Sequence, residues 1–531
     1  MKILLKKHSL TLTVILLYLA LVIIIILITY RNNDNHFIYP LDDTYIHLAL
    51  AKNLIGHGVF GISQYQFTAT SSSPVWSAIL SLMFYIGGTN DYLPFVLCVI
   101  LSLVLITYIS IKLQYMNNDL LKFIIIIFAV LSSSVLSLTF TGLEHILQSL
   151  FVIIYIFNSS NLIDDNKNQT KKQLTIFYIL TFLLPLIRYE SIFLIAVVSF
   201  LLLLKKNYIL CIKSAIIGII PLTVLGIIYI INGWYFFPNS IILKTEIQSS
   251  FISSLVKIGK SFIMNIYHVP HLDILVIGCI FYLFLVKRNS DKNNVRRKTI
   301  IMIFLLTTLL HLAFAKTVWF FRYEAYLVFS GIIILGIILP DAYQIIFKNY
   351  SKNIKIKIFA VLIMTMILIA LINRAYKSNF YIIKATHNIY CQQYQIASFI
   401  HKYYNNDNVA LNDFGLICYK SNIKPLDLQG LANMDVAKFR ISKKFNTKII
   451  DSLLNKDSIS LTIIYDSWFE DTCKLPQKWK RVFRWSMKDN YICGDSIVSF
   501  YVRDSLKRIQ LVNKLKEFSS KLPGDVKIFY E

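Results

Sequence analysis

Uninterrupted apolar runs, separated by short polar connections, recur along the chain until about residue 373, after which short apolar stretches alternate with charged ones. The first run, residues 9 to 30, carries no charge and is long enough to cross a bilayer, which takes about 20 apolar residues in a helix. Further runs at 92 to 113, 121 to 140, 143 to 157, 173 to 187, 190 to 204, 209 to 231, 271 to 287, 298 to 314, 326 to 347 and 355 to 373 bring the expected crossings to about 11, with a range of 11 to 13. The segment Pro74 to Ile86 is apolar but too short to span. It predicts a helix lying in the interface, with Ser73 as cap and Pro74 in the first turn. Ile46, Leu50 and Leu54 recur every fourth residue and predict an amphipathic surface helix that ends at Gly56 or Gly58.

Past residue 373 the pattern shortens to strand length, as in Val409 to Leu411 and Ile459 to Tyr465. The chain therefore divides into a membrane domain, 1–375, whose first outer loop, 31–91, carries the interfacial helices, and an α/β soluble domain, 376–531. Cys391, Cys418, Cys473 and Cys493 fall in the second part. They admit three disulfide connectivities, among which Cys473 with Cys493 is the pairing expected first. No CxxC or HExxH spacing marks a metal site.

Composition agrees with the pattern. Hydrophobic residues make up 56% of 531 and the mean hydropathy is +0.59, values that place the chain among polytopic membrane proteins. The net charge of +25, from 54 basic and 29 acidic residues, does not mark a nucleic-acid binder, because the basic residues gather on alternate connections. Lys2, Lys6 and Lys7 precede the first run, and the block Lys287, Arg288, Lys292, Arg296, Arg297 and Lys298 precedes the ninth. The positive-inside rule then puts the N-terminus in the cytoplasm. An odd count of crossings puts the C-terminal domain outside. No small-residue cleavage site follows the first run, so it is expected to stay as an anchor.

Asp42 and Asp43 lie just past that first run, on the outer face in this topology. Two readings stand side by side: one acid caps the helix that follows while the other complements its dipole, or the pair carries chemistry. The run DDTYIHLALAKNLIGHGVF, followed by TATSSSPVWSAILSL, resembles the first-loop signature of GT-C glycosyltransferases, close to bacterial arabinofuranosyltransferase and mannosyltransferase-like members. Further blocks similar to the family are Thr141 to Glu144, Leu186 to Glu190, Phe237 to Ser240 with Lys244, Phe321 to Tyr323, and Asp413 to Gly415 through Asp427 to Leu431. Two departures stand out. The family's arginine after the acid pair is replaced in register by Leu50-Ala51-Lys52, and Tyr189 occupies the position of a usual proline.

The resemblance implies an inverting enzyme that takes a sugar from a polyprenyl-phosphate donor and moves it to an acceptor hydroxyl on a glycan, lipid or protein. An alcohol is a weak nucleophile at neutral pH, so a carboxylate within reach must accept its proton. Asp42 or Asp43 is the candidate base. The departing lipid phosphate needs cations in place, and Arg188, Lys244 and Arg322 are the candidates, although each also fits a snorkelling side chain at the interface. Arg322, flanked by Phe321 and Tyr323, has the stronger case for a bidentate phosphate contact. Glu144 fits either an acceptor-positioning acid or a helix start. His57 fits a sugar contact or a solvated turn, and Trp76 a stacking surface or a membrane anchor. The carboxylates leave room for a divalent cation, but no motif requires a metal.

A lipid or glycan transporter would place ionisable residues in mid-span and show two related halves, and neither is apparent here. A glycan polymerase or ligase shares the chemistry, and the loop from Asn232 to Pro270 is long enough to leave it open.

Overall fold

The computed structural model describes residues 2–165, 169–243, 251–286, 292–349, 353–469 and 473–531. Every one of the expected apolar segments is helical. Among the described residues eight helices are long and apolar enough to cross a membrane, and there is a ninth span if Val256–His268 and Pro270–Leu285, bent by 93°, count as one. This is a multi-pass membrane protein. The expected segments 173–187 and 190–204 form the helices Lys171–Ile187 and Ile192–Leu204, of 17 and 13 residues. At 1.5 Å per residue they are about 25 and 20 Å long, short of the roughly 30 Å hydrocarbon layer. Pro185 weakens the last turn of the first, and the extended backbone of Arg188 ends it.

The described residues form two compact units. One comprises Met1–Ile24, Phe95–Val224 and Gln248–Phe380; the other comprises Ile25–Pro94, Leu225–Ile247 and Tyr381–Glu531. In the first, the helix Ala325–Gln344 is buried on most of its faces and packs against Asp119–Ser132, His145–Asp164, Pro270–Leu285 and Lys292–Phe314. Close approach depends on a missing side chain at Gly336, where a methyl group would meet Ile125 at 2.7 Å. Hydroxyl pairs add to this packing: Tyr18 bonds Thr139 at 2.7 Å, and Ser102 reaches Thr139 at 3.1 Å.

The second unit is built on a six-stranded sheet. Its strands are β1 (Asn408–Leu411), β2 (Lys424–Asp427), β3 (Leu461–Ile464), β4 (Lys480–Met487), β5 (Ile497–Val502) and β6 (Val526–Tyr530), in the order β2-β1-β3-β5-β4-β6. β1 pairs in parallel with β2 and β3, and the remaining pairings are antiparallel. Leu461, Thr462, Ile463 and Ile464 are all buried, as expected of a strand covered on both faces. Because the chain leaves β1 toward β2 on one side and returns to β3 on the other, the carboxyl ends of β1 and β3 form a topological switch point, where open α/β sheets place their ligands. One buried cluster gathers Leu426, Val436, Ile450, Leu454, Phe469 and Trp479. Elsewhere in the unit Trp485 meets Phe399, Phe500 and Phe518 with ring centroids 6.0, 4.6 and 6.0 Å away.

Two helices from the 31–91 stretch belong to this unit. Pro74–Gly87 begins as expected, with the Ser73 side chain accepting from the Trp76 backbone N–H and Pro74 in the first turn. Asp42–His57 departs from the expected surface helix: Thr44, Tyr45, His47, Leu48, Leu50 and Asn53 are all buried. It packs against both Pro74–Gly87 and the helix Gly415–Lys420, so polar as well as apolar faces are covered. His47 satisfies its ring by bonding the Ser77 hydroxyl at 2.8 Å. None of the seven cysteines forms a disulfide, which corrects the expected pairing, and Cys391, Cys418 and Cys493 are buried.

Replacing Trp485 by Ala should cost about 3–5 kcal/mol by emptying the aromatic cluster. The expected sign is early protease cleavage within residues 381–531 of the detergent-solubilised chain; a cleavage pattern equal to wild type would contradict this packing.

Candidate active site

The acid pair heads the Asp42–His57 helix but does not cap it. Leu41 is the N-cap, and both aspartates sit in the first turn, where the helix dipole favours negative charge. This corrects the helix-cap reading, and the Asp42 carboxylate serves a different helix. Its Oδ2 accepts from the Gly415 backbone N–H at 2.6 Å and its Oδ1 from Leu416 N–H at 2.8 Å, at the start of Gly415–Lys420. A side chain at position 415 would collide with this contact, since a methyl group would stand 2.4 Å from the Asp42 carbonyl oxygen and 2.6 Å from Oδ2.

A second carboxyl, Asp413, faces Asp42. Asp413 lies two residues past β1, and its Oδ2 accepts from Gln393 Nε2 at 2.9 Å; the Tyr465 hydroxyl, with one hydrogen to give, lies 2.7 Å from Gln392 Oε1 and 3.1 Å from Asp413 Oδ2. Tyr465 follows β3, and its backbone N–H donates to Asn412 Oδ1 at 3.3 Å. The acid cluster thus occupies the switch point of the sheet. Burial pushes both carboxyls above the ordinary aspartate range. The charge of Asp42 raises Asp413 further, and Asp43 adds to the effect, while the bonds from Leu416 and Gly415 partly offset it at Asp42.

Other contacts fix this arrangement. Lys52 Nζ donates to the Tyr419 carbonyl at 2.9 Å, and the Tyr419 hydroxyl donates to Asp91 at 2.5 Å, so the Asp42–His57 and Gly415–Lys420 helices are tied at several points. Asp427, at the end of β2, accepts from Gln429 and Ala432 N–H groups, both at 2.7 Å, and burial lifts its carboxyl to about 6. Asn239 Nδ2 donates to the Gly430 carbonyl at 2.7 Å, which joins two sequence blocks that lie far apart in the chain.

Two of the expected sugar contacts are placed elsewhere. His57 is exposed at the far end of the 16-residue helix, about 22 Å from the acid pair by helix rise. Trp76 is fully enclosed, with no ring face left for stacking, which corrects the expectation that it offers a surface. Lys244 lies outside the described residues.

The other unit brings three expected residues together. Glu144 accepts from Arg188 Nη1 at 3.0 Å, and Arg188 also donates Nε–H to Glu190 at 2.8 Å. The guanidiniums of Arg188 and Arg322 both lie over the Tyr323 ring, 5.4 and 5.0 Å from its centroid. Arg322, 4% exposed, donates to the Tyr323 hydroxyl at 3.3 Å. Buried charge is tolerable here because Glu144 and Glu190 face Arg188 within a hydrogen-bonded set.

A neighbouring clamp is absent from the sequence-based candidates. Arg374 donates to Glu324 Oε1 at 2.6 Å, to the Ser132 carbonyl at 2.9 Å, to the Phe321 carbonyl at 2.8 Å and to His271 Nε2 at 2.8 Å. Glu324 Oε2 in turn accepts from the Val318 N–H at 2.9 Å. Between these anchors Val318, Phe320 and Phe321 adopt positive φ angles of 77°, 50° and 58°, conformations that cost about 1–3 kcal/mol each and persist only when surrounding contacts impose them. The clamp therefore sets the loop that carries Arg322. An arginine just past the apolar 355–373 run was the available signal. Among the described residues no three His, Cys, Asp or Glu side chains group in a way that would hold a metal ion.

Arg374→Met should destabilise the protein by about 3–5 kcal/mol because Glu324 is left buried and uncompensated. Adding Glu324→Gln should recover part of the loss. Thermal unfolding in detergent checks both, and a double variant no better than the single one would argue against the clamp.

Comparison with known proteins adds two matches. Residues 387–501 match a family described as a domain of unknown function, DUF8728. No curated protein matches the chain. Among solved structures the chain is similar to the crystal structure of ArnT from Cupriavidus metallidurans bound to undecaprenyl phosphate, with a TM-score of 0.50 and 9% identity over 92% of this chain and 98% of that one. At such identity the likeness is one of fold, and the chain has the GT-C-like architecture with a C-terminal sheet domain that its sequence led us to expect.

Proposed function

We propose that this protein is a membrane glycosyltransferase that moves a hexosyl or pentosyl group from a polyprenyl-phosphate donor to a hydroxyl of a cell-envelope glycan, lipid or protein. The observation that carries this proposal is the fold, similar over nearly the whole chain to a protein crystallised with undecaprenyl phosphate. The resemblance of the first-loop blocks to arabinofuranosyltransferase and mannosyltransferase-like enzymes points the same way.

The acid side of the chemistry falls to Asp43. Both acids are half-buried, and Asp42 spends its two carboxylate oxygens on the Gly415 and Leu416 N–H groups, so the proton-accepting role goes to Asp43. As base, Asp43 takes the acceptor proton while the acceptor oxygen attacks the anomeric carbon from the side opposite the phosphate, so the anomeric centre inverts. The bond to the lipid phosphate breaks as this one forms. Arg322 and Arg188 are the cations proposed to stabilise the charge that develops on the departing phosphate, with Glu144 and Glu190 fixing the Arg188 guanidinium. A donor borne on a lipid suits a site at the outer surface of a bacterial cytoplasmic membrane, with the N-terminus inside and the sheet-bearing C-terminal part outside.

Purified protein offered a panel of radiolabelled polyprenyl-phosphate sugars should release the lipid phosphate from at least one of them, and Asp43→Asn should lower that turnover by at least about 100-fold with folding intact. Turnover with no donor, or full turnover in Asp43→Asn, would refute the assignment. Lys507→Cys, at an exposed position, should react with an impermeant maleimide added outside intact cells. Labelling only after lysis would reverse the topology.

A further inference from the structure

Two facing carboxyl groups cannot both be ionised without strong repulsion, and Asp42, seated on the N–H groups of Gly415 and Leu416, faces Asp413 two residues earlier in that loop. The two members have unlike surroundings. Asp42 faces two backbone N–H donors, from Gly415 and Leu416, both of which require an acceptor. Asp413 presents Oδ2 to Gln393 Nε2 and the Tyr465 hydroxyl, and this leaves its other oxygen for Asp42. The distribution that keeps a full acceptor opposite both backbone N–H groups is a carboxylate at Asp42 and a proton on Asp413, donated to Asp42.

We propose that Asp413 is the positioning residue of the acid pair: held as the neutral acid, it donates to Asp42 and so locks the head of the Asp42–His57 helix, and with it Asp43, onto the loop after β1. The inference rests on the transferase reading for its catalytic consequence, but the locked pair itself does not need it. Gly415 supports it independently, since its bare backbone lets Asp42 enter this position. So does the placement of Asp413 and Tyr465 just past neighbouring parallel strands, at the switch point of the sheet.

The geometry makes an unsymmetrical demand on the two acids. An amide at 413 supplies a permanent donor toward Asp42 and keeps an oxygen for Gln393 and Tyr465. An amide at 42 must turn its NH2 group against a backbone N–H. Among the described residues the other titratable groups that act on the pair are Asp43 and Tyr45 on the first helix, Cys418 on Gly415–Lys420, Tyr465 after β3, and Cys493. Burial raises the thiols and Tyr465 well above their usual values, and they stay neutral through the working range.

The pH dependence follows with a definite sign. The folded chain holds the Asp413 proton more tightly than the unfolded chain does, so stability is greatest below the ordinary aspartate range. It declines as pH rises through the interval up to the raised folded value.

The test uses the full chain in detergent. Melting temperatures of wild type, Asp413→Asn, Asp413→Ala and Asp42→Asn are measured from pH 4 to 9 without substrate. Wild type should lose stability toward alkaline pH, and Asp413→Asn should flatten that slope, so that its advantage over wild type grows with pH. In the donor-panel assay Asp413→Ala should lose at least about tenfold in turnover, and Asp413→Asn should restore it to within about threefold of wild type. Asp42→Asn should stay at least about tenfold down. An Asp413→Asn slope identical to wild type, an Asn variant as impaired as the Ala variant, or turnover abolished by a chelator, which would put a cation rather than a proton between the acids, would each overturn the proposal. The melting data stand even if no donor is turned over, so a failure of the shared proton and a failure of the transferase assignment give different results.

Discussion

A carboxylate inserted against backbone N–H groups and a second carboxyl organises the sheet-bearing unit. Asp42 closes the open end of Gly415–Lys420, a short helix that has no side-chain cap of its own. Capping of this kind is worth about 1 kcal/mol at an exposed site and more where water cannot substitute. Here the capping residue comes from another part of the chain, so one interaction both completes a helix and fixes a tertiary contact. Gly415, Asp413, Gln393 and Tyr465 all take their places from it: the glycine because nothing larger fits, the others because a buried acid must have its hydrogens accounted for.

The same constraint shapes the other unit, with charges of both signs. Arg188 is matched by Glu144 and Glu190, and Arg374 by Glu324, so each of these two buried guanidiniums has its counter-charge beside it. Arg374 also spans backbone carbonyls of two segments, Ser132 and Phe321, and through Glu324 holds a loop whose positive φ angles a free peptide would avoid. Arg322 owes its position to this clamp. If that side chain meets a lipid phosphate, as proposed, rigidity is an advantage, because a cation already in place need not reorganise as charge develops.

Much of this was legible along the chain and some of it was not. The runs from 9–30 to 355–373 announced their helices because an uninterrupted apolar stretch has few alternatives near a membrane. Ser73 and Pro74 marked a helix start by local chemistry alone, and the structure agrees. Of the two readings of the acid pair, the one in which an acid caps the helix that follows failed, because the local pattern of an acid before an apolar run is identical whether the acid caps that helix or another. Trp76 and the Ile46, Leu50, Leu54 stripe were misread for a related reason: periodicity shows which face is apolar, but it is silent on whether a second layer covers the polar face too. The predicted pairing of Cys473 with Cys493 failed because spacing says nothing of spatial distance.

The amino-acid sequence by itself determined the class of the molecule, the rough bounds of its apolar helices and the change to strands beyond them, and it singled out Asp42, Asp43, Arg188 and Arg322 as ionisable groups among apolar neighbours. Those are consequences of local composition and period, and they survive without knowledge of any long-range contact. Only the tertiary structure decided that Asp42 serves Gly415 and Leu416, that Asp413 joins it, that Glu190 shares Arg188 with Glu144, and that Arg374 holds the Arg322 loop. Each of these is a pairing between residues distant in the chain or on separate elements, and a buried polar group chooses its partner by proximity in space, which folding alone creates.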